Sequence, residues 1–368
     1  MFNDHSQPLA QGRRTVEMTE TPRSGPSKSR PRPGPLVLGK DQPLEIISDL
    51  AVLDEERVLV AGKRLIGNPK GPPQYEIRGL QVRCWPDLRV ERELPAGGDV
   101  LDVRAPWVLA AGPYTDGWHH HSGVWMELAT GQVISEFPVH DPFLITDGGF
   151  IGCMRRHYGS AGRPQAVSKL AQPWPQLAPL LDANRTVIVS CSWEGEVKWT
   201  LDVATFADPD YTDVMALAWT PEGDGVVVAT FRSLAEFELA TGQVRWRYGW
   251  DKAWHTSVAC DATRVVVGGA SLHGKSSVFR VLERSTARLL QQGHATDNSD
   301  IHSVVFHGGT LLMGTASGRL LLYDEAYTQR EVRLSKKAVN QIRVVRGGVL
   351  AAGDQGELRF LPLLDDET

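Results

Sequence analysis

A possible phosphate-binding loop lies in the stretch GGASLHGKSS, residues 268–277, where the pattern G-x-x-x-x-G-K-S runs from Gly269 to Ser276. Such a loop follows a strand and opens a helix, and its backbone N–H groups and lysine hold the phosphates of a nucleotide. The run LLLYDE (320–325) ends in acids, as a magnesium-binding strand would. The sequence after the motif nevertheless has the pattern of a strand hairpin. We therefore prefer a turn that copies the motif, and a P-loop nucleotide hydrolase is the minor alternative.

Three consecutive histidines in GPYTDGWHHHSGVW (112–125) suggest a second kind of chemistry, metal binding. Neighbouring side chains on an extended chain point to opposite faces, so three in a row cannot share one ion. Asp116 is the only further candidate ligand nearby. The sequence therefore predicts no metal site here, and it leaves open whether this polar-aromatic loop faces a ligand or has no role. No cofactor is predicted.

Composition narrows the function classes. The 368 residues are 42% hydrophobic and 23% charged, as in a soluble globular protein, and the net charge of −5 without a long basic run argues against nucleic-acid binding. No apolar run is long enough to span a membrane, and the N-terminus lacks the apolar core of a secretory signal. The four cysteines are scattered without CxxC spacing, which indicates reduced thiols and a cytoplasmic location.

Residues 1–34 differ from the rest of the chain. They contain TPRSGPSKSRPRPG and few large apolar residues, so they cannot bury enough surface to offset the entropy of ordering. We predict a disordered Pro/Ser/Arg-rich tail at 1–34 and one folded domain at 35–368. Pro31, Pro33 and Pro35 allow a polyproline ligand, although a plain linker is the preferred interpretation.

Two short motifs recur along the folded part. ELATGQV occurs at 127–133 and again at 238–244, 111 residues later. Asp-x-x-Arg followed by an apolar run occurs in DEERVLVAG (54–62), DANRTVIVS (182–190) and DATRVVVGG (261–269). The first motif predicts a hairpin with Thr-Gly at its tip, and the second predicts a polar turn that leads into a buried strand.

These signals predict an all-β, single β-propeller of about eight four-stranded blades, with seven as the runner-up, because self-similarity at roughly 40 residues is typical of that fold. The last repeat ends without its fourth strand, and PLVLG (35–39) has no other partner, so we expect an N-terminal strand to join the last blade. The spacing is least regular at 150–182. Eight turns between the first two strands of a blade are predicted, near Asp54, Arg104, Asp147, Asp182, Gly223, Asp261, Gly308 and Gly347.

A family resemblance rests on a few of these repeats. FELATGQVRWRY (237–248) resembles the repeat of quinoprotein-like propellers, and Gly293-His294 followed by Tyr323-Asp324 is similar to the Gly-His and Trp-Asp marks of WD-repeat blades. The resemblance covers 35–368 as architecture and implies a degenerate WD-repeat-like propeller. The chain lacks the adjacent cysteine pair of many quinone-dependent dehydrogenases, and Ala316-Ser317-Gly318 replaces the usual Asp-containing turn.

One face of such a propeller should carry the binding residues. With strands a to d in each blade, the b–c and d–a connections emerge on the same face, and Trp, Tyr, His and Asp are concentrated in them. The predicted b–c loops are YTDGWHHHSG (114–123), RRHYGSAGRP (155–164), CSWEGE (191–196) and SLHGKS (271–276), and the d–a loops are PVHDPF (138–143), ADPDYTD (207–213), YGWDKAWHT (248–256) and GHATDNSD (293–300).

We predict that these loops present an anchor patch to a protein partner, because aromatic residues with polar tips are enriched at interfaces. The predicted binding residues are Trp118, His119, His120, His121, Tyr158, Trp250, Asp251, Trp254 and His255.

The preferred function is therefore a non-catalytic protein–protein interaction scaffold, since no catalytic signature stands in a convincing context. The alternative is a small-ligand-binding or hydrolytic propeller with its site in the central funnel on the same face. His140-Asp141, Asp208 and Asp210 are the candidate residues for that site.

Overall fold

Almost all regular structure in the described chain is β-strand. The computed structural model describes residues 36–38, 46–65, 75–77, 80–94, 101–111, 123–155, 171–208, 210–250, 253–271, 277–354, 356 and 358–363. The predicted tail at 1–34 lies outside these residues. No helix in the described ranges is both long and apolar enough to cross a membrane.

Seven antiparallel sheets form seven blades, each with its strands a to d paired in order. The blades are composed as follows: blade 1, β2 (Ile46–Val52), β3 (Arg57–Leu65), β5 (Gln81–Cys84) and β6 (Val90–Glu93), with β4 (Tyr75–Ile77) also paired to β3; blade 2, β7 (Leu101–Arg104), β8 (Trp107–Ala111), β9 (Gly123–Glu127) and β10 (Val133–Phe137); blade 3, β11 (His140–Thr146), β12 (Gly149–Met154), β13 (Val187–Ser192) and β14 (Val197–Asp202); blade 4, β15 (Val214–Trp219), β16 (Gly225–Thr230), β17 (Ser233–Glu238) and β18 (Val244–Gly249); blade 5, β19 (Ala253–Cys260), β20 (Arg264–Ser271), β21 (Ser277–Glu283) and β22 (Arg288–Gly293); blade 6, β23 (Ile301–His307), β24 (Thr310–Thr315), β25 (Arg319–Tyr323) and β26 (Gln329–Arg333); blade 7, β27 (Val339–Val345), β28 (Gly348–Gly353), β29 (Leu358–Pro362) and β1 (Leu36–Leu38).

The first strands of the blades close into a ring. Each strand a contacts the strand a of the next blade, and β27 of blade 7 contacts β2 of blade 1. Polar side chains bridge several of these contacts: Asp49 accepts a hydrogen bond from the Leu101 amide at 3.1 Å, and Ser303 accepts one from the Ile342 amide at 3.1 Å. The inner strands therefore satisfy polar groups across blade boundaries as well as within each sheet.

The N-terminal strand completes the last blade, as the sequence predicts. Strand β1 pairs antiparallel with β29, with Leu36 opposite Phe360 and Leu38 opposite Leu358. Blade 7 thus takes three strands from the C-terminal end of the described chain and its outer strand from near residue 36, so the two ends of the domain are held in one sheet.

Burial along each blade explains why its strands have such different sequences. Strand b is covered by the neighbouring blades on both faces, and all six residues of β12, β16 and β28 are buried. A continuous apolar run is the sequence pattern of a strand buried on both sides. Strand d lies at the outer edge, and the alternating exposure of β18 follows from having only one covered face.

The prediction of eight blades is wrong, and seven, the runner-up, is confirmed. Seven of the eight predicted turns join strands a and b, but Asp182 ends the short helix α1 (Ala178–Asp182) instead. This helix and the 3₁₀ turn Pro175–Leu177 belong to a long connection between β12 and β13. Trp174 and Leu181 are buried against blades 2 and 3 and fix this connection. The long b–c connection of blade 3 therefore has a sequence that resembles the start of an additional blade.

The repeated Asp-x-x-Arg motif explains the miscount. In the true a–b turns the aspartate binds the arginine, with Asp54 Oδ2 to Arg57 Nε at 2.8 Å and Asp261 Oδ2 to Arg264 Nε at 2.9 Å. In the third copy Arg185 pairs with Asp202 at 3.1 Å. The following run VIVS is buried as predicted, but it belongs to strand c.

The ELATGQV motif forms the predicted hairpin between strands c and d. In the second copy the Thr241 hydroxyl donates to the Glu238 carboxylate at 2.5 Å and accepts from the Gln243 amide at 3.2 Å. Gly242 has a φ of +70°, a conformation that glycine adopts without strain. Thr130 and Gly131 repeat this arrangement in blade 2.

The P-loop pattern does not open a helix. Strand β20 ends at Ser271, and the chain returns as β21 from Ser277, with Ala270 opposite Ser277. Residues 272–276 lie outside the described part. Because a P-loop needs a helix N-terminus at this point to hold phosphate, the antiparallel strand contradicts the nucleotide-hydrolase alternative.

Candidate functional site

Among the described residues, three of the predicted d–a connections have the predicted strand order, whereas one predicted b–c connection does not. The segments 138–139, 207–213 and 294–300 connect a strand d to the next strand a. CSWEGE (191–196), in contrast, contains the turn between β13 and β14, a c–d connection. Trp193 therefore lies at the opposite edge, stacked on Trp125 with ring centroids 4.6 Å apart.

Six of the predicted binding residues lie outside the described residues: Trp118, His119, His120, His121, Tyr158 and Asp251. Of the remaining three, only Trp254 has an exposed side chain, with 42% of its surface accessible.

Trp250 and His255 lie in the interior, unlike the exposed patch that the sequence suggests. Trp250 is 9% exposed, and its indole N–H donates to the carbonyls of Phe231 at 3.1 Å and Ala253 at 3.2 Å. His255 is fully buried and packs edge-on against the indole at 4.3 Å. These two side chains therefore stabilise the d–a connection from the interior and are not part of an exposed binding surface.

The protonation state of His255 follows from its partner. Its Nε2 lies 2.8 Å from Arg280 Nη1, and a guanidinium can only donate. The imidazole is therefore neutral at Nε2 and accepts this bond. Burial, together with the charge of Arg280, holds the pKa of His255 well below its usual range. This histidine cannot supply pH-sensitive partner binding near neutrality.

Trp254 belongs to a surface cluster that the sequence did not single out. Its ring packs against Phe231 with centroids 5.3 Å apart at 46°. Phe231 lies in the tight b–c turn of blade 4, between β16 and β17, and its side chain is half-buried. The exposed indole is thus supported from below by a second aromatic ring.

The neighbouring residue extends this cluster toward blade 3. Arg232 lies over the Tyr211 ring, with its guanidinium carbon 3.6 Å from the ring centroid, and pairs with Asp208 at 3.1 Å. A guanidinium held by both an aromatic face and a carboxylate has few accessible rotamers. We call Tyr211, Phe231, Arg232 and Trp254 the Trp254 patch.

Only part of this patch is predicted by the sequence. Tyr211 lies in the predicted loop ADPDYTD, and Trp254 is a predicted anchor. Phe231 and Arg232 form a very short connection. In the sequence, β16 and β17 therefore look like one apolar run with a polar interruption. The Phe-Arg-Ser sequence between two buried strands is the signal that could have marked this turn.

The residues of the funnel alternative form no metal-binding cluster among the side chains that the structure describes. No cluster of three or more potential metal-ligating residues occurs within the described ranges. Asp208 is held by Arg232 and also caps the Asp210 amide at 3.1 Å. Its carboxylate thus has a structural partner on each side.

Comparison with known proteins places the fold. No protein-family model and no curated protein matches the sequence. Among solved structures 1270 chains match. A chain in the crystal structure of the mitotic checkpoint complex has a TM-score of 0.61 at 10% identity, over 95% of this chain and 100% of that one. The computationally designed Ika8 protein has a TM-score of 0.51 at 13% identity, over 86% of this chain and 96% of that one.

At such identities the likeness shows the fold alone. It confirms the β-propeller fold expected from the repeats, whereas the WD-repeat-like and quinoprotein-like parts of the resemblance stay predictions.

Proposed function

We propose that this protein is a non-catalytic interaction scaffold that binds a protein partner through the Trp254 patch. The observation that supports the proposal is the large exposed indole of Trp254, which rests on Phe231 beside the guanidinium of Arg232 stacked on Tyr211. Trp, Tyr and Arg are the residue types enriched at the centres of protein interfaces, where a few of them supply most of the binding energy.

The arrangement suits binding because its side chains are already ordered. Phe231 and Tyr211 hold the indole and the guanidinium in place, so a partner loses less side-chain entropy on docking. A chain of similar fold occurs in the crystal structure of the mitotic checkpoint complex, and this likeness supports a role among protein partners. A cytoplasmic location, suggested by the scattered cysteines, is part of the same proposal.

Affinity capture from the native host tests this function. We expect Trp254→Ala and Arg232→Ala to lose partners that the wild type retains. Arg346→Ala is the matched control, since Arg346 and its partner Glu55 are both 77% exposed and lie in the a–b turns of blades 7 and 1, at the opposite edge. Loss of a partner in all three variants, or in none, would contradict the proposal. Thermal unfolding of each variant checks that it is folded.

A further inference from the structure

A cavity of about 670 Å³ opens at the edge formed by the a–b turns, opposite the Trp254 patch. Its walls come from strand a of blades 2 and 3, from β13 and β14 of blade 3, and from the a–b turn of blade 4. This volume is within the range of small-molecule sites, which bury most of a ligand in a concave and partly polar space.

Two hydroxyl groups in the wall lack partners. Thr146 and Ser190 both line the cavity and are only 7% and 3% exposed. Neither side chain forms a hydrogen bond to any residue in the described ranges. Because both hydroxyls line the cavity, each is available to donate to and accept from a ligand there.

A fixed carboxylate lines the same space. Asp102 accepts hydrogen bonds from the Val103 amide at 2.9 Å and from the Ile145 amide at 2.6 Å. These two bonds orient the carboxylate and leave it further lone pairs for a ligand hydroxyl. Burial raises the pKa of Asp102 to about 6, so it is mainly an acceptor at neutral pH.

Two ion pairs and one lysine supply the other charges at the rim. Arg104 pairs with Asp147, and the Lys198 ammonium donates to the Gly148 carbonyl at 2.9 Å. Glu222 pairs with Arg284 at 2.6 Å. A charged ligand that bound Arg104, Asp147 or Glu222 would have to break one of the two ion pairs, whereas a neutral ligand would not.

Part of the wall is apolar. The half-buried Trp219 and Leu239 line the same cavity as the hydroxyl groups. An aromatic face next to hydroxyl and carboxylate groups suits a molecule with C–H surface on one side and hydroxyls on the others.

We propose that this cavity binds a small, neutral, polyhydroxylated molecule of the sugar or polyol class. Its hydroxyls would bond to Thr146, Ser190 and Asp102, and its C–H face would pack against Trp219. The site is independent of the Trp254 patch and requires no partner protein.

The double variant Thr146→Val/Ser190→Ala tests the proposal, because it removes both hydroxyls with little change in volume. The probes are D-glucose, D-sorbitol and myo-inositol, titrated by saturation-transfer NMR, with L-glutamate and spermidine as charged comparisons. We expect at least one hydroxylated probe to bind the wild type and to bind the double variant at least tenfold more weakly. We expect the charged probes to show no transfer.

The matched control is Thr328→Val/Ser285→Ala, which removes two exposed hydroxyls away from the cavity. It should bind like the wild type. The cavity variant should unfold at the wild-type temperature or above, since the removed groups have no partners within the described protein. Failure of all three hydroxylated probes to bind, equal binding to both double variants, or binding of a charged probe in preference would overturn the proposal.

Discussion

Trp250 and Trp254 show how single positions differ within one connection. They are four residues apart, yet the first is buried and the second is exposed. In β19, Ala253 and His255 face the interior while Trp254 and Thr256 face outward, the alternation expected of a strand. The sequence shows the aromatic residues but not where the strand begins. It therefore could not predict which tryptophan is exposed for binding and which is buried in the core.

This difference predicts that the two tryptophans contribute unequally to stability. Trp250→Ala should lower the free energy of unfolding by about 3–5 kcal/mol, because it leaves a cavity and an unpaired pair of carbonyls. Trp254→Ala should cost roughly 1 kcal/mol, as for a partly exposed residue. Urea denaturation of both variants measures the two losses in the free energy of unfolding. Equal losses would show that the indole of Trp254 is part of the core.

His255 predicts a pH dependence of stability. Its pKa is lowered in the folded state, so the unfolded chain binds the proton more readily at pH values below about 6.5. Stability from this group is therefore present above about pH 6.5 and falls by about 1.4 kcal/mol for each pH unit below it. His255→Gln keeps an acceptor for Arg280 and should remove this slope.

The measurement is the free energy of unfolding of wild type and His255→Gln between pH 5 and 8. Asp102 acts in the opposite direction, because its pKa is raised to about 6 and protonation favours the folded state. It is common to both proteins, so the difference between their curves isolates His255. Parallel curves would mean that His255 is not buried as a neutral ring.

At the scale of the element, the sequence predicted turns and buried strands well. ELATGQV identified two c–d hairpins because threonine and glycine have specific roles there: the hydroxyl caps the turn and the glycine adopts a positive φ. The buried b strands were visible as apolar runs. The b–c insertion with α1 was not, because Asp182 and Arg185 imitate the local pattern of an a–b turn while their partners are distant in sequence.

Two glycines with nearly equal φ test how closely the second ELATGQV hairpin packs against Trp199. Gly223 has a φ of +72° and no atom within 4 Å of a built Cβ, whereas at Gly242 the Cβ would meet the Trp199 ring at 2.9 Å. Gly223→Ala should cost about 1 kcal/mol from the left-handed backbone alone. Gly242→Ala should cost clearly more, because Trp199 is fixed by its bond to the Leu239 carbonyl at 2.7 Å.

Chemical denaturation of the two variants measures this difference. A loss at Gly242 no larger than at Gly223 would show that the hairpin moves away from Trp199 without strain.

The closing strand provides a second test at this scale. Deleting residues 1–38 removes β1 and leaves β29 as an unpaired edge in blade 7. We expect the melting temperature to fall by several degrees or the protein to aggregate. Deleting only 1–34 is the matched control and should leave the melting temperature unchanged. Equal melting of both truncations would show that β1 contributes nothing to closure.

At the scale of the whole molecule, the ring places unlike surfaces at its two edges. The d–a and b–c connections carry the Trp254 patch, and the a–b edge carries the cavity lined by Thr146 and Ser190. Strand order predicted which connections share a face. It could not predict that Phe231 supports Trp254, because that contact joins neighbouring blades through side-chain packing.

The measurement that tests the interaction proposal most directly is site-specific photo-crosslinking in the native host. A photoreactive phenylalanine analogue replaces Trp254 in one protein and Arg346, at the opposite edge, in another. We expect a cross-linked protein at position 254 that is absent from position 346 and is lost when Arg232→Ala is added. No cross-link at 254, or the same cross-link at both positions, would contradict it.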